Sequence, residues 1–232
     1  YRLSEDSDVQ DRRFEFIVLE DKSINAFAAP GGIIGINLGM FLETRKEGEL
    51  ASVMCHELAH LSQRHYARSQ NRSSPLANAL MVLGSIVVAA ASRNPEAILI
   101  APAAMQQMSI NFTRSNEKEA DRIGFNNLVK AGFNPDDMTS MFQRMQDKYQ
   151  SKSSEEFSYL MTHPLPSERL SDMRVRADNL PKSSKNNYRD NIDFYLMQKR
   201  VEIWSEQNVN KLIKRYKKNL KSTNDQTLIS NK

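Results

Sequence analysis

The stretch "MCHELAHLSQRH" (residues 54–65) holds two histidines four positions apart, His56 and His60, with Glu57 directly after the first. On a helix, positions i and i+4 share one face a single turn apart, so two imidazoles can aim at one divalent cation. Glu57 falls about 100° round the helix from His56, where its carboxylate reaches a water beside the cation instead of the cation itself. Such a set suits hydrolysis: the cation polarises a carbonyl and acidifies the water, and the carboxylate takes the water's proton as it attacks. The competing reading, two histidines on a core helix by coincidence, requires three uncommon residue choices to meet at this spacing.

A hydrolytic zinc centre takes three protein ligands and keeps a further position open. On an unbroken helix His65 is a poor third ligand, because five residues beyond His60 turn it off the ligand face. The extended motif with a glycine three residues after the second histidine is absent, since Gln63 stands there. The stretch "NEKEADRIG" (116–124) offers acids instead. Glu117 and Asp121, four apart, suit a zinc ligand and a hydrogen-bond acceptor for a ligand imidazole, while Glu119 points elsewhere on such a helix. Taken alone, the neighbouring Arg114, Lys118 and Arg122 favour a solvated charged face.

These groups need elements to carry them. "FEFIVLE" (14–20) alternates like a strand, and "GGIIGINLG" (31–39) gives a second apolar run bounded by glycines. The turn-rich "DKSINAFAAPGG" lies between them, which predicts a hairpin or a small sheet. From Glu47 the apolar spacing is helical through Leu50, Val53, Met54, Leu58 and Leu61, with no proline before Pro75. Leu76–Ala91 is uncharged, but its sixteen residues fall short of the roughly 18–20 of a membrane span, so a core helix or an apolar lid is expected. A long helix is predicted over 103–130. Another opens after Asn134-Pro135, and a rigid "THPLP" turn precedes a third. "PKSSKNNY" (181–188) reads as a linker before two terminal helices, with Trp204 as their anchor.

At 232 residues with 40% hydrophobic and 26% charged content, the chain has an ordinary globular balance, so disorder is not expected. Cys55 is the sole cysteine, which excludes an intrachain disulfide, leaves the redox compartment open and suits a small core residue. The eleven methionines suit core filling. Residues 181–232 carry twelve Lys/Arg against five Asp/Glu, without the interleaved aromatic pattern of a nucleic-acid surface, which favours a solvated tail. The sequence opens at Tyr1 with neither an initiator methionine nor an apolar signal core, so targeting cannot be read from it.

The HExxH motif followed 57 residues later by ExxxD resembles the gluzincin metallopeptidase family of the CAAX prenyl proteases and HtpX. The segments "NAFAAPGGIIGINLGM", "FTRSNEKEADRIGF", "AGFNP" and "THPLPSERL" agree with it in order over roughly residues 8–180, and "HELAHLSQRH" with "THPLPSER" resembles its soluble periplasmic, BepA-like branch.

The resemblance implies an α+β, mostly helical zincin-type fold with a small β-sheet. It implies one Zn2+ per chain on His56, His60 and Glu117, with Glu57 as base and Asp121 orienting a ligand. It further implies His163 capping the zinc in a self-inhibited state, Arg169 beside the substrate carbonyl, and an edge strand over Gly32, Ile33, Ile34, Gly35 and Ile36 that pairs with substrate. The expected organisation is a peptidase domain over 1–180, then a basic linker and helical pair over 181–232, the start of a tetratricopeptide region. The implied activity is periplasmic cleavage of misfolded or stalled envelope proteins, outer-membrane beta-barrel precursors among them. Implied partners are those unfolded clients, the outer-membrane assembly machinery and a membrane surface touched through 76–91. A client-holding, chaperone-like protein with a closed zinc site is the alternative.

Overall fold

The computed structural model describes residues 2–5, 7–72, 100–151, 158–181, 191–206 and 208–230. The expected Leu76–Ala91 element and the 182–188 part of the linker lie outside them. So do the side chains of Met105 and Met108.

A single 3-10 turn, Arg2–Ser4, leads into three strands, β1 (Glu15–Leu19), β2 (Ala26–Ala29) and β3 (Ile33–Asn37). The sheet order is β1-β3-β2, with β1 parallel and β2 antiparallel to β3. Of the hairpin or small sheet expected here, the small sheet forms, with β2 between the two apolar runs in sequence and reversing the chain before β3 begins. One expectation changes: the segment 32–36 is not an edge, because Ile33–Ile36 pair with β1 on one side and β2 on the other, so no open ladder remains on that strand. The free edge nearest the site belongs to β2. Gly31 and Gly32, at φ of 92° and 80°, make the turn between β2 and β3. A side chain at Gly32 would strike the Arg13 carbonyl at 2.3 Å.

Helices α1 (Leu38–Glu43), α2 (Glu47–Ser62), α3 (His65–Arg72), α4 (Ile100–Lys130), α5 (Asp136–Ser151), α6 (Ser158–Thr162) and α7 (Ser167–Asp178) follow. The central member is α2, which packs on α4, α5 and β2. Its buried residues include Ala51, Val53, Cys55, Leu58 and Ala59. Being covered on several sides, it shows little of the one-sided apolar stripe of a surface helix. Helix α5 closes the core with Met138, Met141, Phe142 and Met145, a repeat of three, four and seven that puts all four on one face. Asn134 caps it as expected, its side chain accepting from the Asp136 N–H at 3.0 Å. Where α2 crosses α4, Gly124 allows close approach, since a Cβ there would sit 3.0 Å from the His56 Cα.

The helix expected to run from Glu47 to Pro75 breaks at Gln63–Arg64. Arg64 has φ of 52°, a left-handed conformation that costs a non-glycine residue about 1–2 kcal/mol. The chain thereby changes direction before α3.

Helices α8 (Ile192–Ser205) and α9 (Val209–Ser230) form the terminal pair. Gln198 ties α8 to the end of α1 through the Phe41 and Thr44 carbonyls, and Tyr216 of α9 donates to Glu202 at 2.6 Å. Among the described side chains, the buried apolar anchors of the pair are Phe194 and Leu212. Trp204, expected to do this, is 63% exposed because it falls on the outward face of α8. Among the described residues no helix is long and apolar enough to cross a membrane.

Candidate metal centre

Helices α2 and α4 cross, and with the turn after α6 they bring together side chains from three separate segments of the chain. His56, His60, Glu117 and His163 each offer a ligand atom, all within 4.8 Å of one another. The two Nε2 atoms of His56 and His60 face each other at 3.0 Å, and each lies 3.3 Å from a Glu117 oxygen. His163 follows the short helix α6, and its Nδ1 stands 3.1 Å from Glu117 Oε1. One turn back, the Tyr159 carbonyl accepts the His163 backbone N–H at 2.8 Å, and the two rings lie 4.7 Å apart.

This donor set fits a metal ion. Imidazole nitrogens and carboxylate oxygens converge with no lysine or arginine among them, and among the described residues Arg169 approaches Glu117 from behind, at 2.9 Å. Burial alone would raise the Glu117 pKa, but hydrogen bonds from His163, His56 and His60 outweigh it and keep the carboxylate ionised. Burial likewise opposes a charge on His56, yet Asp121 and Glu117 prevail and raise its pKa to about 9.

Glu57 lies beside the group. Its Oε2 accepts the Ala28 N–H of β2 at 3.2 Å, and its buried Oε1 has no hydrogen-bond partner among the described residues. The carboxylate is thus held by one oxygen, with the other presented to the site, 3.6 Å from His163 Nε2. A cleft of about 590 Å³ opens here between β2 and α2, lined by Phe27, Ala28, Glu57, His60 and His163.

Behind His56, Asp121 Oδ1 lies 3.0 Å from Nδ1. The Arg169 Nε–H and Nη2–H donate to the two Asp121 oxygens at 2.6 and 2.7 Å, and Nη1 donates to the Pro164 carbonyl at 2.5 Å. Desolvation would raise Asp121, but Arg169 and His56 prevail and hold it below the usual carboxylate range. Arg169 is therefore not beside an incoming carbonyl. It is buried behind His56 and Glu117 with its donors on Asp121, Glu117 and Pro164, because α7 packs against α4 and α5 and not over the cleft beside Glu57.

Two further residues join the site. His65 is buried, its Nδ1 2.9 Å from His60 Nδ1 and its Nε2 3.1 Å from Glu119 Oε2. Arg68 donates to the same Glu119 oxygen at 2.9 Å. Helical periodicity had placed His65 and Glu119 off the site. The break at Arg64 folds His65 back onto His60, and nothing local in the sequence marks a left-handed arginine.

A model of peptidase family M48 matches residues 1–177. Over 187 residues, 75% of its length and 37% of the relative's, the chain is 42% identical to the beta-barrel assembly-enhancing protease of Yersinia pestis. It is also 42% identical, over 176 residues, to that of Escherichia coli (strain K12), covering 72% of this chain and 35% of the relative. A more distant relative is the mitochondrial metalloendopeptidase OMA1 of Schizosaccharomyces pombe, 29% identical over 71% of this chain and 47% of that protein. The chain thus spans little more than a third of the two bacterial relatives. With the family's match running through the HExxH helix, the ExxxD helix and the His163 turn alike, the chain belongs to peptidase family M48.

Proposed function

We propose that residues 1–180 form a zinc-dependent endopeptidase and that residues 181–232 are a basic linker and helical pair opening a tetratricopeptide region. The proposed setting is the periplasm, and the proposed substrates are misfolded or stalled envelope proteins, outer-membrane beta-barrel precursors among them. The names of the bacterial relatives support this choice of substrate and of the outer-membrane assembly machinery as partner. The observation that carries the reading is the convergence of His56, His60, Glu117 and His163 beside the unpartnered Glu57 Oε1.

In this reading His56, His60 and Glu117 hold the ion, and Asp121 orients His56. Bound zinc would supply Lewis-acid polarisation and acidify the attacking water. Glu57 Oε1 accepts that water's proton as the hydroxyl adds to the peptide carbonyl carbon. Glu57 then returns the proton to the amide nitrogen as the C–N bond breaks. An extended substrate segment pairs with β2, the edge beside Glu57, instead of the central 32–36 segment.

His163 acts as a cap. Thr162 and His163 line the 590 Å³ cleft, whereas Pro164, Leu165 and Pro166 line a second cleft of about 700 Å³, and Glu117 borders both. Lifting this turn would free the fourth ligand position and join the two clefts. Replacing Glu57 by Gln should preserve one zinc per chain, read by elemental analysis, and abolish cleavage of an unfolded protein; wild-type-like cleavage would remove Glu57 as the base. His163→Ala should raise cleavage several-fold if the cap is inhibitory, and unchanged or lower rates would refute it.

A client-holding role is the second reading, favoured by the exposed Phe16, Ile17, Val18 and Leu19 of β1. Such a role would survive Glu57→Gln.

A further inference from the structure

His60 turns Nε2 toward the metal centre and Nδ1 toward α3. An imidazole that gives its Nε2 lone pair to a cation keeps its proton on Nδ1, and that proton needs an acceptor. Among the described residues, the contact at this nitrogen is His65 Nδ1, at 2.9 Å. To accept there, His65 must carry its own proton on Nε2, which lies 3.1 Å from Glu119 Oε2. Arg68 donates to the same oxygen and pins the carboxylate. Each donor along this path then meets an acceptor, and the direction of every hydrogen bond follows from a cation on His60. The His65 side chain is only 4% exposed, so water competes little for either nitrogen.

We propose that His65, oriented by Glu119 and Arg68, is the positioning residue that sets the ring plane and tautomer of His60 for metal binding. The proposal rests on the zinc-centre reading above. It gives a purpose to the left-handed turn at Arg64, which is what returns a residue five positions beyond His60 to its outer nitrogen. His56 receives its support directly from a carboxylate; His60 receives it through an interposed imidazole, because Glu119 sits too far round α4 from Glu117 to reach His60 itself.

The test measures Zn2+ dissociation constants by chelator competition on the whole 232-residue chain, with melting of the metal-free protein as the fold control. His65→Leu should weaken Zn2+ binding about 10–100-fold, the usual loss when an outer hydrogen-bond partner of a ligand is removed. His65→Gln offers a carbonyl to His60 and an amide to Glu119, so it should restore affinity to within a few-fold. The visible spectrum of the Co2+-loaded protein should shift in the leucine variant and return in the glutamine variant. Wild-type affinity in His65→Leu would overturn the relay, and so would equal weakness in both variants, which marks a purely steric role. If His65→Leu fails to fold, Glu119→Gln decides: several-fold weaker binding supports the relay, and unchanged binding overturns it. A wild-type protein that takes up no Zn2+ overturns the zinc-centre reading and the relay together, whereas a His56→Ala loss without a His65 effect overturns the relay alone.

Discussion

The two histidines of the HExxH helix are backed by different kinds of structure. Behind His56, the Asp121 carboxylate is buried and held by two hydrogen bonds from the buried Arg169, which also reaches Glu117 and the Pro164 carbonyl. Behind His60, the support passes through His65 to Glu119, whose side chain is 29% exposed, and ends on Arg68, 46% exposed. Both arrangements put an acceptor beside the outer nitrogen of a motif imidazole. They differ in dielectric: charges in the first interact strongly and tolerate no missing partner, while the Glu119–Arg68 end of the second is screened by solvent. The difference teaches that the His56 arm unites fold and site, and that the His60 arm serves the site with little share in the fold.

The largest effect should come from Arg169→Met. It leaves the buried Asp121 and Glu117 without their guanidinium, and losing one partner of such a buried pair costs about 3–5 kcal/mol. Urea unfolding of the metal-free protein measures it; a loss below 1 kcal/mol would erase the contrast between the arms. Next comes Asp121→Asn, which should weaken Zn2+ binding about 10–100-fold by chelator competition. Equal affinity would show that His56 needs no carboxylate behind it. The smallest effect belongs to Arg68→Ala, an exposed ion pair worth roughly 0.2–1 kcal/mol and reduced by salt. Thermal unfolding at low and high ionic strength reads this directly. A salt-independent loss as large as that of Arg169→Met would sink the assignment of Arg68 to a screened arm.

Parts of this site were legible because their signals are local. His56, Glu57 and His60 lie within one turn, and Glu117 and Asp121 within another, so helical spacing alone puts each group on one face. The strands β1 and β3 were visible as β-branched and aromatic runs, whereas "AFAA" of β2 has one aromatic, Phe27, among three alanines of low β-propensity. The edge over 32–36 came with the resemblance, and pairing overturns it: a strand's position in a sheet depends on what pairs with it, and β3 is central because β2 takes its second side. Arg169 changes place for a related reason. The resemblance puts it beside the substrate carbonyl, but the packing of α7 puts it behind His56 and Glu117, on Asp121.

Sequence by itself determined the chemistry on offer: two imidazoles and a carboxylate one turn apart, two acids on a second helix, and a histidine in a proline-braced turn. Those follow from residue identity and the 3.6-residue period, which need no knowledge of distant contacts. The tertiary structure alone decided which groups converge, which edge faces Glu57, and which nitrogen His65 touches. Each of those depends on how α2 crosses α4 at Gly124 and on the backbone reversal at Arg64, where packing between distant segments overrides local preference.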